Sequence, residues 1–256
     1  MKLPMRLLWA VSLAILPTLL AAAPACPAAP DTPATGIRRV IDGDTLVLAD
    51  GRHVRFIGIN AMELGHDGAA DQPYAGAARD ELKSLIRRHG GLIRLQPGSE
   101  AYDEHGRSLA YVFSSDGQDL GLDLLKAGLA VLIAVPPDVA RLDCYATAES
   151  AARAAHLGIW SSASPLLVKA ADARPVAGGF LIVTGVVTES SQVRAGVHLT
   201  LDHRLRLWVP TDDLPRFASD PVGLKGRTVL ARGWVRDYKG RQELDIHAAA
   251  ALFALP

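Results

Sequence analysis

Apolar and polar residues alternate with period two from Val40 onward. Val40-Ile41 leads through Asp42-Gly43-Asp44-Thr45 into Leu46-Val47-Leu48, and a turn at Asp50-Gly51 is followed by Arg52-His53-Val54-Arg55-Phe56-Ile57-Gly58-Ile59. Asp-Gly between two such runs is a strong hairpin signal, which predicts Asp44 on the first arm and Arg55 on the returning arm, with a third strand after them. The ends of the hairpin then lie side by side, making neighbours of Asp42, Asp44, Asn60 and Glu63. After a loop at Leu64 to Pro73 the period changes. Ala78, Leu82, Leu85 and Ile86 share one face of a helix predicted from near Tyr74 to His89, stopped by Gly90-Gly91. A short strand at Leu92 to Pro97 and another at Ser108 to Ser114 come next. A short helix is predicted at Leu120 to Ala127 and a longer one at Asp138 to His156, with Tyr145, Ala148, Ala152 and Ala155 on one stripe and Gly158 as the stop. Five strands interleaved with three helices fit a small closed barrel flanked by helices.

Residues 163–177 read as a linker, with Pro165, Pro175 and a run of alanines. In residues 178–256 the period-two pattern returns. Leu181, Val183, Gly185 and Val187 alternate, then Val197, Leu199 and Leu201, then Leu205, Leu207 and Val209. A helical turn opens at Thr211, and two further strands, Thr228 to Val235 and Glu243 to His247, flank Lys239-Gly240. Three strands, a helix and two strands is the order of an oligonucleotide-binding (OB) barrel. The predicted class is mainly β with α, one barrel after another.

Composition narrows the possibilities. At 256 residues and 49% hydrophobic the chain can bury a full core, and its length suits two domains. Lys2 and Arg6 precede an apolar run from Leu7 to Ala23 and an Ala-x-Ala site ending at Ala25, so residues 1–25 read as a signal peptide. A secreted or periplasmic location is expected, without a stable membrane span. Lipid anchoring at Cys26 is a minor alternative. Residues 26–36 are Ala/Pro-rich and read as a flexible lead. Cys26 and Cys144 are the two cysteines, and export would permit a disulfide, but no spacing pattern demands one. Zinc is disfavoured, since there is no cysteine pair with metal-ligand spacing and no His-x-x-x-His. Formal net charge is zero, so bulk charge announces no nucleic acid, and any hold on phosphate must come from local placement.

Local placement offers it. Hard cations want oxygen ligands and phosphodiesters want cationic donors, and the hairpin supplies carboxylates beside a guanidinium. In order, Asp42-Gly-Asp-Thr, Arg55 with Glu63 eight residues on, Asp103-Glu-His-Gly-Arg107-Ser-Leu-Ala-Tyr, Gly128-Leu-Ala and Gly158-Ile-Trp160-Ser resemble the staphylococcal-nuclease (thermonuclease) family over about residues 38–162. The resemblance implies an OB-type barrel carrying helices at 37–162, and calcium-dependent hydrolysis of DNA and/or RNA. It places the metal on Asp44, Asn60 and the carbonyl of Ala61, gives Glu63 the attacking water, and gives Arg55 and Arg107 the non-bridging phosphate oxygens, where a two-donor fork fits growing charge.

The chain also departs from that family. Asn60 stands where many relatives have aspartate, Glu104-His105 precede Gly106, and Val131-Leu-Ile-Ala-Val lacks the tyrosines that stack on a base. Two readings follow: a calcium-dependent nuclease with an added binding domain, or a nuclease fold kept as a nucleic-acid- or protein-binding module with little or no catalysis. Charge divides between the halves, 13 basic against 17 acidic residues over 37–162 and 10 against 8 over 178–256. In the second half Arg204, Arg206 and Trp208 fall on one face of a strand, which suggests an exposed platform for single strands.

Overall fold

The Asp50-Gly51 turn joins β2 (Thr45–Leu48) to β3 (His53–Phe56), with Thr45 opposite Arg55, and β1 (Thr35–Val40) pairs antiparallel with β2 to make one ribbon. Gly51 turns at φ 93°, where a side chain would be strained. The computed structural model describes residues 26–65, 68–174 and 177–255, so the predicted signal peptide lies outside the described residues. Past the ribbon come β4 (Ile59–Ala61), α1 (Ala75–Arg88), β5 (Leu92–Tyr102) and β6 (Ser108–Ser114). The barrel closes in the order β1-β2-β3-β6-β5, with β5 paired back onto β1 and β6 parallel to β3. Then follow α2 (Leu120–Lys126), β7 (Ala130–Leu132) and α3 (Leu142–Ala154), β7 pairing with β4 outside the barrel. Leu46, Leu48, Val54, Phe56 and Ile93 fill the interior, and α1 buries Ala78, Leu82 and Leu85 against them. Each such leucine contributes roughly 1.5–3 kcal/mol by leaving water.

Two boundaries differ from expectation. β5 continues to Tyr102 instead of stopping near Pro97. The long helix starts at Leu142, not Asp138, because residues 138–141 have other partners. The Asp138 carboxylate accepts the Ser99 N–H at 2.6 Å, and the Arg141 guanidinium reaches Asp119 at 2.7 Å and the Pro27 carbonyl at 2.6 Å.

The lead is pinned, which corrects the flexible reading. Its carbonyls have no ladder partners until Thr35, so arginines of the barrel satisfy them: Arg141 binds Pro27 and Ala28, and Arg94 binds Thr32 at 2.7 Å. Cys26 forms a disulfide with Cys144 on α3 across a sequence separation of 118. No local motif signals a pairing that distant. A sulfur so bonded is not free to carry a lipid thioether. Closing so long a loop restricts the unfolded chain, so Cys26→Ser with Cys144→Ser is expected to cost roughly 2–5 kcal/mol, a fall in Tm on the order of 10 °C. Calorimetry showing an unchanged Tm would refute that assignment.

The second half is a barrel of the same topology. β8 (Leu167–Lys169) runs parallel to β9 (Phe180–Val193), so part of the predicted linker is a strand, held because Leu167 to Lys169 pair with Ile182 to Thr184. β10 (Gly196–Leu201) and β11 (Leu205–Pro210) continue the meander, 3-10 turns span Thr211–Arg216 and Pro221–Leu224, and β12 (Thr228–Tyr238), β13 (Arg241–Asp245) and β14 (Leu252–Ala254) finish it. β11 pairs in parallel with β13, and β12 pairs with both β13 and β9, which closes the ring. Both barrels thus put a parallel pair between their third and last strands, as the OB order predicts.

The barrels share a buried face. Met62, Val131, Ile159 and Trp160 of the first meet Ile182 and Leu230 of the second. Arg232 of β12, 1% exposed, crosses this face: its Nε donates to the Leu132 carbonyl at 2.9 Å, and its Nη2 lies 2.6 Å from Glu149 Oε2 of α3, off the ideal hydrogen-bond direction. Glu149 Oε1 accepts the Leu132 N–H at 2.7 Å, so one buried ion pair ties α3, β7 and β12 together.

Candidate active site

The hairpin ends meet as its register requires. Asp44 is fully buried just ahead of β2; its Oδ2 accepts the Ala61 N–H at 2.5 Å and its Oδ1 accepts the Thr45 hydroxyl at 3.0 Å. Asp42 Oδ1 accepts the Asp44 N–H at 3.0 Å. Gly43 lies between them under α1 and β4. A Cβ there would stand 2.6 Å from that of Ala78 and 2.7 Å from that of Ala61, so only glycine lets the loop pass. Burial pushes the Asp44 carboxyl up to about 6 against the pull of Arg55. Burial also raises Asp42, and the charge of Glu63 adds to it.

Arg55 is 7% exposed and turned toward this group. Its Nη1 donates to the carbonyls of Phe56 and Ile59, each at 2.7 Å; its Nη2 donates to Asn60 Oδ1 at 2.9 Å and lies 3.2 Å from Asp44 Oδ2. A carboxylate and an amide oxygen therefore converge on a single point of positive charge. That donor chemistry, hard oxygens with Asp42 adjacent, fits a calcium-like cation. The set holds few charges: among the described residues no group of three or more His, Cys, Asp or Glu side chains is placed to hold a metal. Ala61 meets Asp44 through its N–H, the group opposite to the carbonyl that the resemblance assigns to the metal.

Arg107 comes to the same place from the neighbouring strand. Arg55 pairs with Leu109 across the parallel β3–β6 ladder, and Arg107, two residues before Leu109, leans to the same face. Asp103 orients it, accepting its backbone N–H at 2.9 Å and its Nε at 2.6 Å. Both arginines line a cleft of about 390 Å³. Glu63 does not line that cleft; it is exposed beyond β4, where its N–H is held by Gln72 Oε1 at 2.9 Å.

The second-barrel platform is differently engaged. Leu205, Leu207 and Val209 are buried and Arg206 and Trp208 face outward, as the alternation requires. Arg206 already pairs with buried Glu243 at 3.1 Å and with His198, and Trp208 packs against His198 at 4.4 Å under Arg236. Arg204, in the turn before β11, donates to the Ala171 carbonyl at 3.0 Å. The cleft is lined by buried Phe56 and by partly exposed Trp234 of β12, and the sequence pattern did not single out the tryptophan. Leu230, Arg232 and Trp234 alternate outward along β12, and that pattern was legible; the neighbour this face meets was not.

Two guanidiniums line one cleft on a barrel of OB topology, together with the carboxylates of Glu100, Asp103, Glu104 and Asp138. Residues 53–162 match the family model described as staphylococcal nuclease homologue. Over 127 residues the chain is 34% identical to the thermonuclease of Staphylococcus intermedius, covering 48% of this chain and 74% of that protein. It is 31% identical over 142 residues to endonuclease YhcR of Bacillus subtilis (strain 168), covering 51% of this chain and 12% of that protein. It is 33% identical over 129 residues to a probable endonuclease LCL3 of Leptosphaeria maculans, covering 48% of this chain and 42% of that protein. The chain belongs to the staphylococcal nuclease family. The second barrel lies beyond the stretch that the family model matches.

Proposed function

We propose that this chain is an exported, calcium-dependent endonuclease that hydrolyses phosphodiester bonds of DNA and/or RNA, organised as a nuclease domain at 37–162 and an OB-like domain at 178–256. The observation that carries the reading is the convergence of Arg55 and Arg107 on one cleft, beside an oxygen pair of Asp44 and Asn60. Asp44 and Asn60 would hold the calcium, with Ala61 as a backbone ligand. When bound, the ion supplies Lewis-acid stabilisation of charge on a phosphoryl oxygen. Arg107, already oriented by Asp103, grips a non-bridging oxygen, and Arg55 grips a second by exchanging a protein acceptor for phosphate. Glu63, given this role by the resemblance, would take the proton of the attacking water as the new P–O bond forms, while the ester P–O bond breaks and the leaving oxygen takes a proton from solvent. Export is supported by the charged, apolar leader and by the disulfide, which persists in oxidising compartments. Closed circular single-stranded DNA and a labelled RNA, incubated with the full chain and calcium, test the reading. Linearisation of the circle supports an endonuclease. Degradation of linear strands only would make it an exonuclease.

One observation favours the binding-module reading instead. Both Nη atoms of Arg55 are committed to protein acceptors, so phosphate must compete for them. Calcium binding tests the ligand set of the first reading. Asn60→Asp adds a charge to a ligand pair aimed at one point and is expected to tighten calcium roughly tenfold. Equal or weaker binding by calorimetry would remove Asn60 from the ligand set.

A further inference from the structure

The first barrel lacks a base-stacking aromatic where the resemblance places one. Val131 and Leu132 are buried in β7, and Val135 beyond them lines the cleft with Ile57, Leu109, Ile133 and Pro136. That wall is aliphatic. Trp234 completes it, but it belongs to the second barrel. Leu230, Arg232 and Trp234 point the same way from β12, since alternate strand residues share a face. Leu230 and Arg232 are buried against the first barrel, at 4% and 1% exposure, whereas Trp234 stands at 37% where that shared face opens into the cleft. Its orientation is fixed from behind. Phe180, its cross-strand partner on β9, meets it edge to face with centroids 5.0 Å apart. The Arg232 contacts to Glu149 and Leu132, two residues away, hold β12 in place against the cleft wall.

We infer that Trp234 is the nucleobase-stacking residue of the phosphate cleft, supplied by the second barrel, and that it selects single-stranded substrates. A partly exposed indole lining the same cleft as Arg55 and Arg107 suits a base whose own phosphate the arginines hold. A base in a duplex has both faces covered by its neighbours, so only an unpaired or splayed base presents one to the indole. The second barrel thereby contributes to the cleft of the first, and Arg232 acts only as a positioning residue. The inference rests on the reading of the cleft as a nucleic-acid site and needs no catalysis.

Binding by the full chain tests it, with a labelled single-stranded oligothymidine at low salt in chelator, where no hydrolysis interferes. Trp234→Ala is expected to raise Kd roughly tenfold or more, Trp234→Phe to stay within a few-fold of wild type, and Kd for a duplex of equal length to be unchanged in both. Quenching of indole fluorescence on binding should disappear in part with Trp234→Phe, leaving only the other tryptophans. Unchanged single-strand affinity in Trp234→Ala, equal losses for single strand and duplex, or no single-strand binding by wild type would each overturn the inference. Should calcium-dependent cleavage be absent while Trp234→Ala still loses single-strand affinity, the inference stands and the catalytic proposal falls.

Discussion

Arg107→Lys and Glu63→Gln are each expected to lower turnover at least a hundredfold while leaving Tm within a degree or two, because one group is half-buried and the other exposed. Lysine keeps the charge but loses the fork, and glutamine keeps the shape but takes no proton. Arg55→Lys is expected to lose as much activity and, unlike the other two, to lose stability as well. A lysine ammonium donates from one nitrogen, whereas Arg55 Nη1 serves the Phe56 and Ile59 carbonyls and Nη2 serves Asn60 from two, so one acceptor is expected to lose its donor, and a buried acceptor left without a partner costs about 1–3 kcal/mol. Steady-state kinetics with thermal melts of the same samples check this split. Wild-type kcat in any one variant would remove that residue from the mechanism.

Arg232→Met is expected to destabilise the chain by roughly 3–5 kcal/mol, because it strands Glu149 as an unpaired charge at 3% exposure between the barrels. Most of that cost belongs to the orphaned partner. Adding Glu149→Leu should therefore cost less than the two single changes summed, although the Leu132 N–H then loses its acceptor. Chemical denaturation of the four proteins gives the coupling directly. Additive losses would mean that the pair is not one unit, and the rigid seating of β12 at the cleft would lose its support.

Local chemistry made much of this molecule readable in advance. The Asp-Gly turn with aliphatic alternation specified the first hairpin and its register, and through them the meeting of Asp44, Arg55 and Asn60. Period-two runs after Gly178 specified the second barrel. What stayed hidden depends on long-range partners. The start of α3 moved because Asp138 and Arg141 bind distant backbone, and the lead is ordered by arginines far along the chain. The Cys26–Cys144 bond has no local signature. Arg206 and Trp208 lie on the outward face of β11 and Arg204 in the turn before it, yet periodicity carries no information that Glu243 and His198 occupy that face. For the same reason Trp234 went unnoticed: a strand pattern says which residues point outward, and only the packing of two barrels says toward what.

Cleavage of a single-stranded oligonucleotide by the full chain, with millimolar calcium and with chelator, tests the central proposal most directly. The proposed chemistry predicts rapid cleavage with calcium, loss of cleavage in chelator, and loss in Arg55→Lys even with calcium. Equal rates with calcium and with chelator, or no cleavage by wild type under either condition, would contradict it.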